Sequence, residues 1–212
     1  MAGILDLLNS DLGKTIVGGV AGQTGQNEDK TNTVLTMAMP VLMQAMRRNV
    51  STPEGADGLL NALNTKHDGT ILDNLGDLFQ GGIDQEILQD GDKILGHVLG
   101  GKQHSVTNVL SQKSGLDTRS VAQILQVAAP LLMGVLGKQS SQQSISSQSD
   151  VESLLGNMLR NNSKPYEQSF LESILDADGD GSVIDDVAEM VLGGDKKKGG
   201  LGSLLGGLFG KK

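Results

Sequence analysis

The sequence predicts an all-α fold, a compact array of short helices with an internal duplication, and its composition supports this prediction. Apolar residues make up 37% of the 212 residues but aromatic residues only 2%. The core must therefore consist of Leu, Val, Ile, Met and Ala, which suit close packing between helices. The chain also contains 30 glycines, which oppose long uninterrupted helices. We therefore expect many short helices that glycines separate.

The duplication appears as two segments, 34–46 and 124–136, that align without gaps at an offset of 90 residues. The alignment pairs Pro40 with Pro130, and the same offset pairs Gly25 with Gly115 and Asn27 with Asp117. A glycine followed by Asn or Asp is typical of one helix ending and the next being capped. The sequence of each unit thus predicts a helix, a glycine turn and a capped apolar helix. Proline either kinks this last helix or begins a new one. We interpret the methionines of 37–46 as core residues rather than as a binding groove.

The composition also predicts where the chain is divided. Between the two units, the patterns of 71–79, 84–89 and 93–99 each favour a short amphipathic helix. Residues 1–138 then form a duplicated helical domain, and 139–149, which are Ser and Gln except for Ile145, predict a flexible linker. A segment of helix, acidic loop and helix follows at 150–195, and a Gly/Leu-rich tail at 196–212.

Charge and cysteine content limit the classes of partner. The net charge of −8 argues against nucleic acid, because phosphate binding needs clustered Lys and Arg. The absence of cysteine excludes disulfides, Cys-zinc sites and thiol nucleophiles. The first residues lack the pattern of a signal peptide, and we find no apolar run of the roughly 18 residues that a transmembrane segment needs. We expect a cytoplasmic protein.

Several of these stretches resemble the YidB-like bacterial proteins of unknown function. The resemblance rests on the paired proline helices and on the stretches 100–103, 110–117 and 130–138, and it covers roughly residues 10–195. It implies an all-helical bacterial protein, and the family has no established activity to carry over.

The clearest chemical signal is an acidic loop near the C-terminus. Asp176, Asp178 and Asp180 occupy every second position before Gly181, which matches positions 1, 3, 5 and 6 of an EF-hand-type calcium loop. Position 12 is Val187 rather than Glu, so closure would depend on Asp186 or Asp185. The predicted ligands are the backbone carbonyl of Ser182 at position 7 and five carboxylates, those of Asp176, Asp178, Asp180, Asp185 and Asp186. We expect weak calcium binding, on the order of 10⁻⁴ M, because the ligand set is incomplete.

An ordinary turn between two helices is the alternative interpretation of this loop. Gly179 and Gly181 could take positive φ angles, and Ser182 could cap the following helix. That interpretation leaves three alternating acids unexplained, and uncompensated charge of this density is repulsive unless it is solvated or bound to a cation. The sequence therefore favours calcium.

Other candidate sites are weaker. The stretch 96–103 approaches a P-loop, but Gln103 stands where Ser or Thr is needed, and a helix end capped by glycine explains it better. His67, His97 and His104 lack the spacing of a metal site, and we predict that all three are surface residues. Because no nucleophile is accompanied by a base, we predict that the protein is not an enzyme.

The tail offers a different function. Gly202, Gly206 and Gly210 repeat every four residues among leucines, and lysines end the chain. Residues 199–212 could bind a protein partner or lie on an anionic membrane surface, so that the protein acts in assembly or at a membrane. A disordered terminus is the alternative, because glycine opposes helix formation in water.

Overall fold

The computed structural model of the chain describes residues 3–80 and 84–160, and all regular structure in these two ranges is helical. All of them belong to one compact unit, Met1–Asp176. The all-α prediction is confirmed for this part of the chain. Its α-helices are α1 (Ile4–Leu8), α2 (Asp11–Thr24), α3 (Glu28–Asn49), α4 (Pro53–Thr65), α5 (Leu75–Phe79), α6 (Gln85–Leu99), α7 (Gln103–Ser114), α8 (Thr118–Gln143) and α9 (Gln148–Arg160), with 3-10 turns at Thr70–Leu72 and Gly100–Lys102.

Helices α3 and α8 form the centre of the array. Around Pro40 all residues from 38 to 43 are buried, and around Pro130 all residues from 127 to 137 are buried, so both helices are enclosed on every side. Each proline lies inside a continuous helix and does not begin a new one. Met39, Met43 and Met46 belong to this core, as the sequence predicts.

The two predicted units have the same order of elements. Gly25 and Gly115 end α2 and α7 with the same left-handed backbone, φ 65° and ψ 25°, which glycine adopts without strain. Asn27 and Asp117 then cap α3 and α8 with their side-chain oxygens. The packing is reciprocal, because α2 contacts α8 as well as α3, and α7 contacts α3 as well as α8.

Among the helices in the described ranges, α6 and α8 make the most extensive contact. A Cβ at Gly91 would lie 1.8 Å from the carbonyl oxygen of Gln126, so only glycine fits there. Gln126 is four residues before Pro130, whose missing N–H leaves this carbonyl without its usual helical donor. The contact with α8 also explains why 84–89 and 93–99, predicted as two helices, form one: packing outweighs the low helix propensity of an interior glycine.

The predicted flexible linker is corrected by the structure. Helix α8 continues through 139–143, where Ser140 is buried, and α9 follows after a four-residue connection. Val151, Leu154 and Leu155 of α9 are buried in the same core as α3, and the Gln148 side-chain amide donates to the carbonyl oxygen of Val50 at 3.0 Å. Ser and Gln tolerate a helix that an apolar segment has already nucleated, so their polarity alone did not indicate a loop. The rest of 150–195 and the tail lie outside the described residues.

One described helix, α8, has the length and apolar character that a membrane crossing needs. Its most apolar window has a mean hydropathy of 1.6, and 83% of that window is buried inside the helical array. The apolar surface of α8 is therefore used by the protein's own core.

Candidate functional site

A cleft of about 760 Å³ lies between α4 and α6. The end of α3 and Met133 of α8 contribute to its floor. We call it the α4–α6 cleft. Its lining residues are Met46, Arg48, Asn49, Val50, Thr52, Glu54, Gly55, Gly58, Leu59, Ala62, Lys66, His67, Asp90, Lys93, Ile94, His97, Val98 and Met133.

The sequence of α4 explains why there is space here. Thr52 caps the helix by accepting a hydrogen bond from the Gly55 amide at 3.2 Å, and Pro53 stands at the first helical turn, where it suits the backbone. The side of α4 that faces the cleft then carries Gly55, Gly58 and Ala62, which project little or no side chain. A Cβ at Gly58 would meet no atom within 4 Å. The missing side chain at Gly58 therefore leaves part of this space open, whereas Gly55 lets α4 approach the carbonyl oxygen of Asn49, which lies 2.0 Å from the position of a Cβ.

At one end of the cleft, α3 is tied to α6. The Asn49 side-chain amide donates to the carbonyl oxygens of His97 at 3.0 Å and Val98 at 3.3 Å. These carbonyls belong to the last turn of α6, where helical donors run out. Asn49 thus satisfies backbone groups and holds the end of α3 beside the cleft.

At the other end, charged side chains bridge α4 and α6. Lys66 follows α4 and forms an ion pair with Asp90 of α6. The Nε2 atom of His67 lies 3.8 Å from the second oxygen of the same carboxylate. His67 is only 7% exposed, and its carbonyl oxygen occupies the place that a Cβ at Gly137 of α8 would take. One carboxylate therefore joins two helices and a buried imidazole.

Burial sets the charge state of this imidazole. Loss of solvent is the largest influence and lowers the pKa of His67 below its ordinary value of 6.5. The Asp90 carboxylate acts in the opposite direction, and the neighbouring Lys66 ammonium lowers the pKa further. His67 is thus neutral at pH 7, which leaves Lys66 as the main counter-charge of Asp90.

The middle of the cleft has a different chemical character. Its floor is apolar, since Met46, Val50, Ile94 and Met133 are all buried core residues whose surfaces reach the cleft. Above them Lys93 and His97, one turn apart on α6, are exposed. Within the described ranges, no carboxylate oxygen lies within 4.0 Å of the Lys93 ammonium. This combination can hold a molecule with an apolar body.

Comparison with known proteins identifies the family of this chain. The sequence matches a family of bacterial proteins of unknown function (DUF937) over residues 6–139 and 141–212. The chain belongs to this family. No curated protein and no solved structure matches it. The match covers the sequence of the α4–α6 cleft and of the acidic loop, and it confirms a bacterial family of unknown function. The resemblance to the YidB-like proteins stays a prediction, and no activity is assigned.

The predicted metal ligands of this DUF937 member lie outside the described residues. Asp176, Asp178, Asp180, Ser182, Asp185 and Asp186 all lie beyond residue 160, as does the tail 199–212. Within the described ranges, no group of three or more His, Asp and Glu side chains is arranged to hold a metal ion. Calcium binding, the partner of the tail and the cytoplasmic location stay predictions.

The remaining predictions concern the histidines and the P-loop-like stretch. His97 and His104 are exposed, as predicted, but the prediction for His67 is wrong, because this side chain is buried beside Asp90. The stretch 96–103 is a helix end, with α6 ending at Leu99 and Gly100 at φ 56°. Sequence reasoning missed the cleft. Its one local signal was the spacing of Asp90, Lys93 and His97, which places all three on one side of a helix.

Proposed function

We propose that this DUF937 protein is a non-enzymatic binding protein that holds a small apolar ligand in the α4–α6 cleft. The supporting observation is the cleft itself, whose volume of about 760 Å³ falls within the range of small-molecule sites. Two methionines, Met46 and Met133, contribute to its floor, and flexible thioethers adapt to differently shaped ligands.

Two polar groups of the cleft, those of Thr52 and Lys66, are engaged in structural contacts, which supports binding rather than catalysis. The hydroxyl of Thr52 is engaged in helix capping, because it accepts from Gly55 and donates to the Asn49 carbonyl oxygen at 3.2 Å. Lys66 is paired with Asp90 and is therefore not a free amine nucleophile. The two ends of the cleft are also fixed, by Asn49 and by the Lys66–Asp90 ion pair. Fixed ends reduce the ordering cost of binding.

A matched pair of glycine variants tests this proposal. Gly58 and Gly22 are both exposed glycines inside helices, and a Cβ at either would meet no atom within 4 Å, but only Gly58 lines the cleft. Binding of N-phenyl-1-naphthylamine, a neutral dye that becomes fluorescent in apolar surroundings, is measured for both. We expect Gly58→Phe to weaken dye binding at least about tenfold, a loss of about 1.4 kcal/mol, and Gly22→Phe to leave it unchanged.

Circular dichroism checks that both variants keep the helical content of the natural protein. Equal dye affinity in the natural protein and in Gly58→Phe would place the dye elsewhere and contradict the proposal. A natural protein that binds no dye at micromolar concentration would contradict it as well.

We also propose that the acidic loop at 176–186 binds calcium weakly, for structure or regulation. The spacing of Asp176, Asp178 and Asp180 before Gly181 supports this second function. Calorimetric titration of the full chain should give a dissociation constant on the order of 10⁻⁴ M that is lost in Asp176→Ala/Asp180→Ala. The control Asp57→Ala/Asp77→Ala removes the same charge from exposed positions of α4 and α5 and should bind as the natural protein does. Absence of heat from the natural protein at millimolar calcium would refute it.

The alternative is action in assembly or at a membrane surface through residues 199–212. The leucines of this tail and its terminal lysines support that alternative. A variant that ends at residue 198 is compared with the full chain by co-sedimentation with phosphatidylglycerol vesicles and by size measurement. Identical behaviour in both measurements would remove the tail from consideration.

A further inference from the structure

We infer that the ligand of the α4–α6 cleft is an aliphatic molecule that carries one anionic end group of the carboxylate type, and that Lys93 binds this group. The inference rests on the proposed binding function and specifies its ligand. It begins from two lysines of the cleft: Lys66 is paired with Asp90 at one end, whereas Lys93 forms no ion pair within the described ranges.

The paired end contributes no net attraction for an anion. The carboxylate of Asp90 accepts a hydrogen bond from Lys66 and lies 3.8 Å from the His67 imidazole. The negative charge of Asp90 therefore compensates the positive charge of Lys66. An anionic ligand placed here would face the Asp90 carboxylate, and like charges at this range repel. The anionic group of a ligand is therefore excluded from this end.

The middle of the cleft contributes an uncompensated cation. Lys93 stands one helical turn beyond Asp90, and within the described ranges its ammonium has neither an ion pair nor a hydrogen bond. His97, one turn further along α6, adds a second nitrogen-bearing side chain on the same side. Glu54, the other acid of the cleft, lies in the first turn of α4, where the positive end of the helix dipole stabilises it. An anion beside Lys93 thus supplies a partner that the protein does not.

The rest of the cleft determines the remainder of the ligand. The side of α6 that lines it runs from Asp90 to Val98, which corresponds to about 12 Å along the helix axis. The apolar floor of the cleft lies beneath this length, and Leu59 and Ala62 are half-buried on the opposite wall. These surfaces offer no hydrogen bonds to a polar body, whereas they gain from burying methylene groups. A linear hydrocarbon chain matches the length and the chemistry.

Three ligands with the same hydrocarbon chain and different end groups separate the contribution of the end group to binding from that of the chain. Calorimetric titration of the full chain with decanoate, decan-1-ol and decylammonium is carried out at pH 7.5, below the concentration at which any of them aggregates. We expect decanoate to bind about fivefold to tenfold more tightly than decan-1-ol, and decylammonium to bind most weakly. The variant Lys93→Met keeps an apolar side chain of similar length and should bind decanoate and decan-1-ol equally, whereas Lys93→Arg should restore the preference.

The matched control is Lys14→Met, which removes the same charge from an exposed lysine of α2 outside the cleft. A control that lowers decanoate affinity as much as Lys93→Met does would assign the preference to overall charge and overturn the inference. Equal affinities of the three ligands for the natural protein would overturn the anionic end group but preserve the proposed function. If none of the three binds and the neutral dye also fails, the proposed function itself is wrong.

Sedimentation velocity of the same samples tests a macromolecular occupant. A natural protein that forms dimers, together with a monomeric Gly58→Phe variant, would show that a second copy of the chain fills the cleft and would overturn the inference. A monomer in both cases agrees with a small ligand.

Discussion

Helices α3 and α8 begin in the same way and end differently, and only the end of α3 lies beside the cleft. Both follow a left-handed glycine and a capping Asn or Asp, and both enclose a buried proline thirteen residues after the cap. However, α3 ends at Asn49, whereas α8 continues four residues beyond the equivalent position, to Gln143. The end of α3 contributes Asn49 and Val50 to the cleft, while the added turn of α8 buries Ser140. Similar core helices thus acquire different surroundings through the place where each one ends.

The largest expected effect comes from the contact that α8 makes with α6. Gly91→Ala forces a methyl group onto the Gln126 carbonyl oxygen, so α6 must move away from α8. We expect the free energy of unfolding to fall by about 3 kcal/mol, as overpacking of a rigid backbone contact does. Urea unfolding followed by circular dichroism measures it.

Gly96→Ala is the control for this change, because it makes the same substitution in the same helix where a Cβ meets nothing within 4 Å. Alanine favours helix over glycine, so this variant should be more stable than the natural protein by up to about 1 kcal/mol. Similar stability losses in the two variants would show that the close approach of α6 and α8 is not rigid.

A second variant makes α3 more similar to α8. Thr31 of α3 is fully buried, and within the described ranges its hydroxyl has no hydrogen-bond partner, whereas the equivalent residue of α8 is Val121. Thr31→Val keeps the shape and removes the unpaired hydroxyl, so we expect a gain of about 1–2 kcal/mol in urea unfolding. Thr33→Val, at an exposed position whose hydroxyl donates to the Asp29 carbonyl oxygen, should show no gain. A loss of stability in Thr31→Val would indicate that water or a neighbouring group satisfies this hydroxyl.

A third variant compares the two caps by their response to acid. Hydrogen bonds from the Ser120 hydroxyl and then its backbone amide hold the pKa of Asp117 below its ordinary value of 3.8, whereas Asn27 does not titrate. The ionised cap stabilises the protein above pH 3.8, and this contribution is lost as the pH falls through the lower pKa of the folded state. Asp117→Asn should therefore be less stable than the natural protein at pH 7, and the difference should shrink below pH 4.

Thermal unfolding between pH 2.5 and 7 follows this difference, with Asp57→Asn, an exposed carboxylate in the middle of α4, as the control. The cap has no special role if the two variants differ from the natural protein by the same amount at every pH.

The smallest expected effect concerns the end of α8. Ser144 has a left-handed backbone, φ 52° and ψ 45°, in the position that glycine occupies after α2 and α7. Ser144→Gly should relieve this conformation and raise stability by about 0.5–1 kcal/mol. Ser146→Gly, two residues later and also exposed, serves as the control and should be neutral or slightly destabilising. An unchanged midpoint in Ser144→Gly would mean that the serine backbone is not strained there.

Features that depend on neighbouring residues could be predicted from the sequence, whereas features that depend on tertiary contacts could not. The glycine ends at Gly25 and Gly115 and the caps at Asn27 and Asp117 are local, and the structure has all four. The burial of His67 was missed because it depends on Gly137, seventy residues away, which admits the His67 carbonyl against α8.

The cleft also depends on tertiary contacts and could not be predicted from the sequence. It forms where small residues of α4 face α6. At one of its ends Lys66 is paired with Asp90, which is twenty-four residues further along the sequence. The spacing of Asp90, Lys93 and His97 indicates a polar side of α6, but neither helix alone specifies that a pocket forms between them. The polar composition of 139–149 was misleading for a related reason, because the helix that precedes it supplies the nucleus for continuation.

Val50 joins two parts of the molecule that are otherwise far apart in sequence. Its side chain lines the cleft, and its backbone carbonyl accepts the hydrogen bond from Gln148 at the first residue of α9. Any shift of the Val50 backbone must therefore lengthen or redirect the bond that positions α9. A spectroscopic label at the start of α9 would therefore report on displacements of the Val50 backbone beneath the cleft.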